Sequence, residues 1–312
     1  MARAHVDPEA WAKKVRLRKM IFIPLAIVLV LAVGTLWVLK KHVLPEQHRR
    51  KLYEQAEAAL SQGDTQQAID CFSLDWGYRD AAERATELAV SAQPDDSFLQ
   101  TIQNAELGEL VTFGAWEQNT KESDGPEPIK WIVLAEDDGR VLLWSEKALD
   151  AVAYNQNLES ITWADCTLRS WLNETFYQNA FSQNEKALVS KTLIETADNP
   201  VSHTDGGADT EDSVFILSFN ELLVFASCNP NLNEIAAVAT DYANSRGLDV
   251  HKEWQTCQWW LRMPGATQDC AGYCDMGGNP LYSGSVNRPD FGVRPAIWVF
   301  APGRKNPTST EN

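Results

Sequence analysis

Aromatic and planar polar side chains concentrate late in the chain, within a glycine-rich stretch at residues 264–291 and just before it. Flat rings beside amide, carboxylate and guanidinium groups are a mixture with which proteins bind sugars and peptides. The predicted ligand-binding residues are Trp254, Tyr273, Asp275, Asn279, Tyr282, Asn287, Arg288 and Asp290. The alternative is an ordinary glycine-rich loop whose aromatic side chains pack inward.

Six cysteines could support redox or metal chemistry. Three residues separate Cys270 from Cys274, a spacing that predicts a small disulfide loop across a turn, with free buried thiols as the alternative. Only His203 and His251 follow residue 100, so we predict no transition-metal site. The acidic stretch at residues 205–212 has oxygen ligands that suit calcium. It lacks the spacing of an EF-hand loop, which favours a solvated surface loop.

No catalytic set is predicted. Cys257 and His251 are of the types that form a nucleophile–base pair, but nothing in the sequence marks the third group that would orient them. The favoured interpretation is therefore a binding protein without an assigned activity. Two alternatives stay open: an enzyme that modifies the cell envelope on the same scaffold, and a structural protein of envelope assembly.

Short strands, turns and short helices are predicted to position these residues from about residue 107 onward. Alternating patterns predict strands at 109–116, 129–135 and 140–145, the last two joined by a turn at 137–139. Further elements follow, with the bounds that the patterns give: helices at 163–176 and 236–245, and strands at 214–217, 258–262 and 293–300. This mixture predicts an α+β domain with a loop-rich face between its last strands.

Six motifs of this domain are specific enough to indicate a family. They are Ile132 to Ser145, Thr162-Trp-x-x-Cys-x-Leu-Arg-x-Trp-Leu-Asn173, Ala180-Phe-Ser-x-x-Glu185, Val214-Phe-x-Leu-Ser218, Trp259-Trp-Leu-Arg-x-Pro-Gly265 and Gly292-Val-Arg-Pro-Ala-x-Trp298. Together they resemble an uncharacterised bacterial domain family that is distantly similar to the formylglycine-generating, C-type-lectin-like fold. The resemblance implies that the first and last strands pair and that loops form a binding face. Pro295 stands where the oxidase branch has its reactive cysteine, so no oxidase chemistry is implied.

Residues 40–103 are predicted to form a short helical stalk before this domain. The segment from Tyr53 to Phe72 resembles a single tetratricopeptide unit, and one unit needs neighbours to cover its apolar face. A stalk that packs on the next domain is therefore favoured over a peptide receptor.

Residues 20–39 form an uncharged apolar run of twenty residues, which is long enough for the roughly 30 Å core of a bilayer. We predict a single transmembrane helix there, after an N-terminal tail at 1–19. Six basic residues before the run and five after it favour a cytoplasmic N-terminus and an extracellular C-terminal domain. The predicted localisation is the cell membrane.

Charge excludes one class of partner. Residues 1–51 carry a net charge of +8 and residues 52–312 carry −24, so the body would be repelled by nucleic acid. The complete prediction is a bacterial, surface-displayed module that recognises an extracellular glycan, peptide or protein. The predicted domain spans residues 104–302 and is followed by a predicted disordered tail at 303–312. No cofactor is predicted beyond the calcium option at 205–212.

Overall fold

A computed structural model describes residues 46–93, 97–137, 139–228 and 235–304, apart from the side chains of 225–228. The chain divides into a unit at Met1–Arg50 and a unit at Lys51–Asn312. Of the first unit, the described residues are 46–50, which begin a helix. The architecture below is that of the second unit.

Helices occur in two groups, one before the sheets and one between their strands. In chain order they are α1 (Glu46–Ser61), α2 (Thr65–Leu74), α3 (Ala81–Ser91), α4 (Ser97–Asn104), α5 (Thr167–Ser170), α6 (Tyr177–Ala180), α7 (Gln183–Leu188), α8 (Phe219–Cys228) and α9 (Asp241–Ser245). Short 3₁₀ turns lie at Glu122–Asp124 and Trp163–Asp165, and a π-helical turn at Trp171–Phe176 joins α5 to α6.

Fourteen strands are described, several of them only two residues long. They are β1 (Leu110–Trp116), β2 (Glu127–Asp137), β3 (Arg140–Ser145), β4 (Asp150–Ala151), β5 (Val189–Ser190), β6 (Thr192–Ile194), β7 (Thr210–Asp212), β8 (Ala237–Val238), β9 (Thr256–Cys257), β10 (Trp259–Pro264), β11 (Cys270–Cys274), β12 (Pro280–Ser285), β13 (Gly292–Val293) and β14 (Ala296–Phe300). The first sheet has the order β1-β2-β3-β14-β5 and the second β12-β11-β10-β13-β4. Two further antiparallel sheets have two strands each, β6 with β7 and β8 with β9.

The chain passes from the second sheet to the first between β13 and β14, at Arg294 and Pro295. Arg294 is fully buried, and its guanidinium lies 3.4 Å from the ring centroid of Trp144 on β3 and 5.0 Å from that of Trp259 on β10. It also donates hydrogen bonds to the backbone carbonyls of residues 145, 146 and 235. One side chain therefore fixes the contact between the two sheets.

The helices that precede the sheets share one apolar core with them. Asp64 caps α2 by accepting from the Gln67 N–H, and the buried face of α2 includes Phe72. Trp76, just after α2, contacts Phe300 of β14 with ring centroids 5.6 Å apart, and Arg140 of β3 lies 4.3 Å over its indole ring. The contact between Trp76 and β14 joins the helical segment to the first sheet.

The predicted transmembrane helix at residues 20–39 lies outside the described residues. Among the helices that are described, none is long and apolar enough to cross a bilayer, and the longest, α1, has 16 residues and is mostly polar. On this finding the predicted fold class, with its membrane-spanning helix, and the predicted single-pass localisation are corrected, because the structure does not support them.

Several predicted elements differ in the structure. The stretch at 264–291, expected to be loop, contains the hairpin β11–β12, which pairs against β10. Residues 214–217 form only an isolated bridge between Phe215 and Ala296. The first strand of the sheets, β1, pairs with β2, while β14 pairs with β3 and β5. The expected pairing of the first and last strands is therefore wrong. The hairpin in residues 264–291 was not predicted because glycine has a weak strand propensity. Pairing with β10 stabilises it.

Replacement of Arg294 by alanine is expected to lower the free energy of unfolding by about 3 kcal/mol or more. The change removes a donor from three backbone carbonyl groups, one buried and two partly buried, and opens a cavity beside two tryptophan rings. Urea denaturation followed by tryptophan fluorescence measures the effect. The matched control is Arg288→Ala, at a half-exposed arginine, which should change stability by less than about 1 kcal/mol. Equal effects of the two substitutions would contradict this assignment.

Candidate functional site

The outer side of the β11–β12 hairpin carries a partly exposed apolar surface. Tyr273 of β11 lies directly opposite Leu281 of the edge strand β12, so their side chains share one face, and Leu281 is exposed. The Tyr273 ring packs 4.9 Å from that of Phe291. Gly284 is required beneath this face, because a Cβ there would come within 2.7 Å of the Trp260 ring.

A charged pair borders this surface. The Arg288 guanidinium binds both carboxylate oxygens of Asp290, with Nε–Oδ1 and Nη2–Oδ2 distances of 2.7 and 2.5 Å. The hydrogen bond from Arg288 lowers the pKa of Asp290, and its counterpart raises the pKa of Arg288. The guanidinium also lies 5.0 Å over the Phe291 ring. Since both side chains are partly exposed, the pair presents planar donors and acceptors in a fixed geometry.

Trp254 stands out from a tight loop at residues 251–256. Its ring stacks on that of His251 with centroids 4.1 Å apart and planes inclined by 17°, yet the residue remains 62% exposed. The loop is closed by hydrogen bonds from the His251 N–H to the Thr256 carbonyl and from the Gln255 N–H to the His251 carbonyl, each 2.8 Å long. One face of the indole is therefore held and the remainder is open to solvent.

The loop and the charged pair adjoin through Asp249. The backbone N–H of Asp249 donates to the Asp290 carbonyl at 3.1 Å, and His251 lies only two residues further on. On the basis of this contact we group Trp254 and His251 into one region with Tyr273, Arg288, Asp290 and Phe291. The predicted ligand-binding set did not include His251 or Phe291. We call this region the outer face. The signal for His251 was its i,i+3 spacing from Trp254.

The other predicted site residues lie apart or have local roles. The Asp275 carboxylate accepts from the backbone N–H groups of Gly277 and Asn279 and from the Asn279 amide, which fixes the β11–β12 turn. Tyr282 follows Leu281 and so points to the opposite side of the sheet, where it packs 5.8 Å from Phe219 and burial raises its pKa. Asn287 is exposed next to Arg288. The structure therefore brings together only part of the predicted set.

The predicted disulfide is not formed. Cys270 and Cys274 are free thiols at the two ends of the extended strand β11. Four residues of strand separate their Cα atoms by about 13 Å, roughly twice the span that a disulfide can bridge. The prediction was wrong because it placed a turn where the chain forms a strand.

Polar motif residues around Asp212 stabilise the interior of the domain. This buried carboxylate accepts from the Trp163 indole at 2.9 Å, from Arg169 Nε at 2.6 Å and from the Thr210 hydroxyl at 2.7 Å. A buried carboxylate requires such compensation. The contacts from Trp163 and Arg169 therefore hold β7 against the helical segment that carries these two residues.

Two further motif residues bind backbone groups. The Asn173 amide bonds with the main chain of residues 213–214 on both its oxygen and nitrogen. Arg262, fully buried on β10, donates to the Ile216 carbonyl and to the Glu221 carboxylate, each at 2.6 Å. These contacts position backbone segments that form few strand hydrogen bonds of their own. As predicted, the tryptophans and arginines of the strand motifs are buried: Trp259, Trp260, Arg262, Arg294 and Trp298.

Metal-ligating side chains are not clustered within the described part of the chain: no group of three or more His, Cys, Asp or Glu residues there could hold an ion. In the acidic stretch at 205–212, Asp205 accepts from the Gly207 N–H, and Asp212 is bonded as described above. The calcium option thus gains no support from the geometry of these two residues.

Labelling rates should separate the buried thiols from Cys270. Burial raises the pKa of Cys166, Cys257 and Cys274 to about 12, so at pH 8 only about one in ten thousand of each is thiolate. Iodoacetamide should therefore modify these three at least about 100-fold more slowly than the half-buried Cys270, as peptide mass mapping would show. Denaturation should equalise the rates. A Cys270–Cys274 bridge in the native protein would contradict the structure.

Comparison with known proteins identifies one family. The family model described as Domain of unknown function (DUF6273) matches residues 138–301. No curated protein and no solved structure matches the chain.

Proposed function

The chain belongs to the DUF6273 family, and we propose that its domain is a binding module that recognises a glycan through the outer face. The observation that supports this proposal is the exposure of Trp254. A large apolar ring that is 62% exposed, yet fixed by stacking on His251, loses little conformational freedom when a ligand covers it.

The neighbours of Trp254 supply the polar half of such a site. The Arg288–Asp290 pair retains unused donor and acceptor positions, because the two groups satisfy each other on one side only. The exposed Asn287 amide lies next in the chain and offers two donors and an acceptor. A sugar ring has an apolar C–H face and hydroxyl groups at its rim. Its face would pack on Trp254 while its hydroxyls bond with this polar group.

A glycan is favoured over polyanionic ligands. The net charge of −24 over residues 52–312 disfavours polyanions, nucleic acid included. The outer face is open, which suits a chain-like ligand laid across a surface. The distant similarity to the C-type-lectin-like proteins was inferred from the motifs and is itself a prediction. It is consistent with a sugar as the ligand. A peptide or protein ligand remains an outcome of the experiment.

The full-length chain applied to a glycan array and a peptide array tests the proposal. Trp254→Ala should weaken glycan binding at least about tenfold, since it removes the principal contact area, with little change in stability because the ring is exposed. Trp254→Phe should retain part of the affinity. The matched control is Leu158→Ala, at another exposed apolar residue on a different loop, and it should bind as the wild type does.

Binding to peptides that depends on Trp254 would replace the glycan by a peptide at the same face. Binding that survives Trp254→Ala would show that the face is misassigned. Silence of the wild-type chain on both arrays would overturn the proposed function.

A further inference from the structure

Two aliphatic side chains project into solvent from loops at one end of the second sheet. Leu158 is 58% exposed and Val201 is 76% exposed, more than any other large aliphatic residue in the described part of the chain. Single exposed aliphatic residues are common on protein surfaces and need no explanation by themselves. These two differ, because a buried asparagine fixes each of their loops from beneath.

The turn that carries Val201 is fixed by Asn199, which is only 1% exposed. The Asn199 side-chain oxygen accepts from the backbone N–H groups of Val201 and Ser202, at 2.9 and 3.0 Å. Its side-chain nitrogen donates to the carbonyls of Pro264 and Gly265, at 3.1 and 3.2 Å. The turn is therefore bonded to the end of β10, and the branched side chain of Val201 has few rotamers of its own.

The loop that carries Leu158 is held in the same way by Asn155, which is 2% exposed. The Asn155 amide nitrogen donates to the Asn157 carbonyl and to the Glu159 carboxylate. Its oxygen accepts from the backbone N–H of Thr167. Since both loops are already ordered, a partner that covers their aliphatic side chains restricts little further motion, and the entropic cost of binding is small.

The two loops adjoin through Gln268, in the turn between β10 and β11. Its side-chain nitrogen donates to the carbonyls of Ile161 and Asp205, each at 3.0 Å. Leu158 lies three residues before Ile161 in one loop, and Val201 lies four residues before Asp205 in the other. By the reach of the chain, the two aliphatic residues are therefore no more than about 30 Å apart. An interface that buries about 800 Å² on each partner spans a similar distance.

We call residues 155–161, 198–205 and 265–269 the loop face. These segments contain four carboxylates and neither lysine nor arginine. Within the described part of the chain, the carboxylates accept hydrogen bonds from neutral amide, backbone and hydroxyl donors, which leave their negative charge in place. The four residues are Glu159, Asp198, Asp205 and Asp269. The two aliphatic side chains are thus surrounded by charge of one sign, which favours a cationic partner.

We propose that the loop face binds a folded partner protein whose surface is cationic and has apolar depressions that receive Leu158 and Val201. Side chains that project, and do not line a groove, need a concave receptor, which a short peptide does not provide. Basic groups of the partner pair with the carboxylates around the two anchors. A second copy of this chain is disfavoured, because residues 52–312 carry a net charge of −24. The site does not depend on the proposed function of the outer face.

Photo-crosslinking of the full-length chain in cells of the source organism tests the proposal. The photoreactive amino acid p-benzoylphenylalanine replaces Leu158 in one variant and Val201 in another. Both variants should crosslink to the same protein, and that protein should carry a net positive charge. The control places the same amino acid at Leu110 of β1, which is 49% exposed, and should not yield this adduct. Absence of a shared adduct, or a shared adduct with an acidic protein or a second copy of the chain, would overturn the proposal.

The crosslinked protein, once purified, is then titrated against the purified full-length chain. Leu158→Ser and Val201→Ser should each raise the dissociation constant at least about tenfold, because each removes an anchor.

A pair of charge variants separates the loop face from the general acidity of the protein. Asp205→Asn/Asp269→Asn keeps the hydrogen-bond acceptors, lowers the negative charge of the loop face and should raise the dissociation constant about tenfold. Glu122→Gln/Glu174→Gln removes the same charge from exposed positions elsewhere and should leave it unchanged. Equal weakening by both double variants, or unchanged binding by the serine variants, would contradict the assignment. Circular dichroism of each variant shows that it folds.

Discussion

The guanidinium of Arg294 lies between tryptophan rings that belong to different sheets, and the rest of the domain is arranged around this contact. Trp144 and Trp259 also contact each other, with centroids 5.3 Å apart, so the three groups form one buried unit. A cation removed from water needs compensation, and here aromatic faces and backbone carbonyls provide it in place of a carboxylate. Burial lowers the pKa of Arg294 to about 9, because removal from water disfavours the charged guanidinium.

Interior and surface have different tasks in this protein. The recognisable motifs place Trp163, Arg169, Asn173, Arg262 and Arg294 in buried contacts with backbone or carboxylate groups. The outer face instead lies on an edge strand and loops that this interior supports. A rigid core with its binding groups at the periphery allows the periphery to change without loss of the fold. The match to the DUF6273 family therefore does not identify a ligand.

Local patterns predicted those elements whose stability is itself local. The strand at residues 140–145 was predicted with the bounds that β3 has, because it follows a turn and alternates regularly. A capping box, another local interaction, begins α7 through Ser182 and Glu185. The hairpin β11–β12 was missed, since its glycines have weak strand propensity and pairing with β10 decides the outcome. The disulfide prediction failed with it.

The candidate site was predictable by residue type but not by arrangement. Aromatic and planar polar residues were sought near the end of the chain, where Tyr273 and Arg288 each pack on Phe291 and Arg288 binds Asp290. Which side of the sheet each side chain faces depends on register, and register separated Tyr282 from the others.

The position of β14 also bears on how the protein is made. Among the described strands, β14 follows the other members of both sheets in the chain, yet it occupies an interior place in the first sheet, between β3 and β5. Until it arrives, β3 and β5 have open edges, and Trp144 and Trp259 lack the side chain that joins them. Contacts between residues so distant in sequence form slowly, and the unpaired strand edges can meet other chains in the meantime. The first sheet therefore cannot be completed before residues 296–300 have been synthesised.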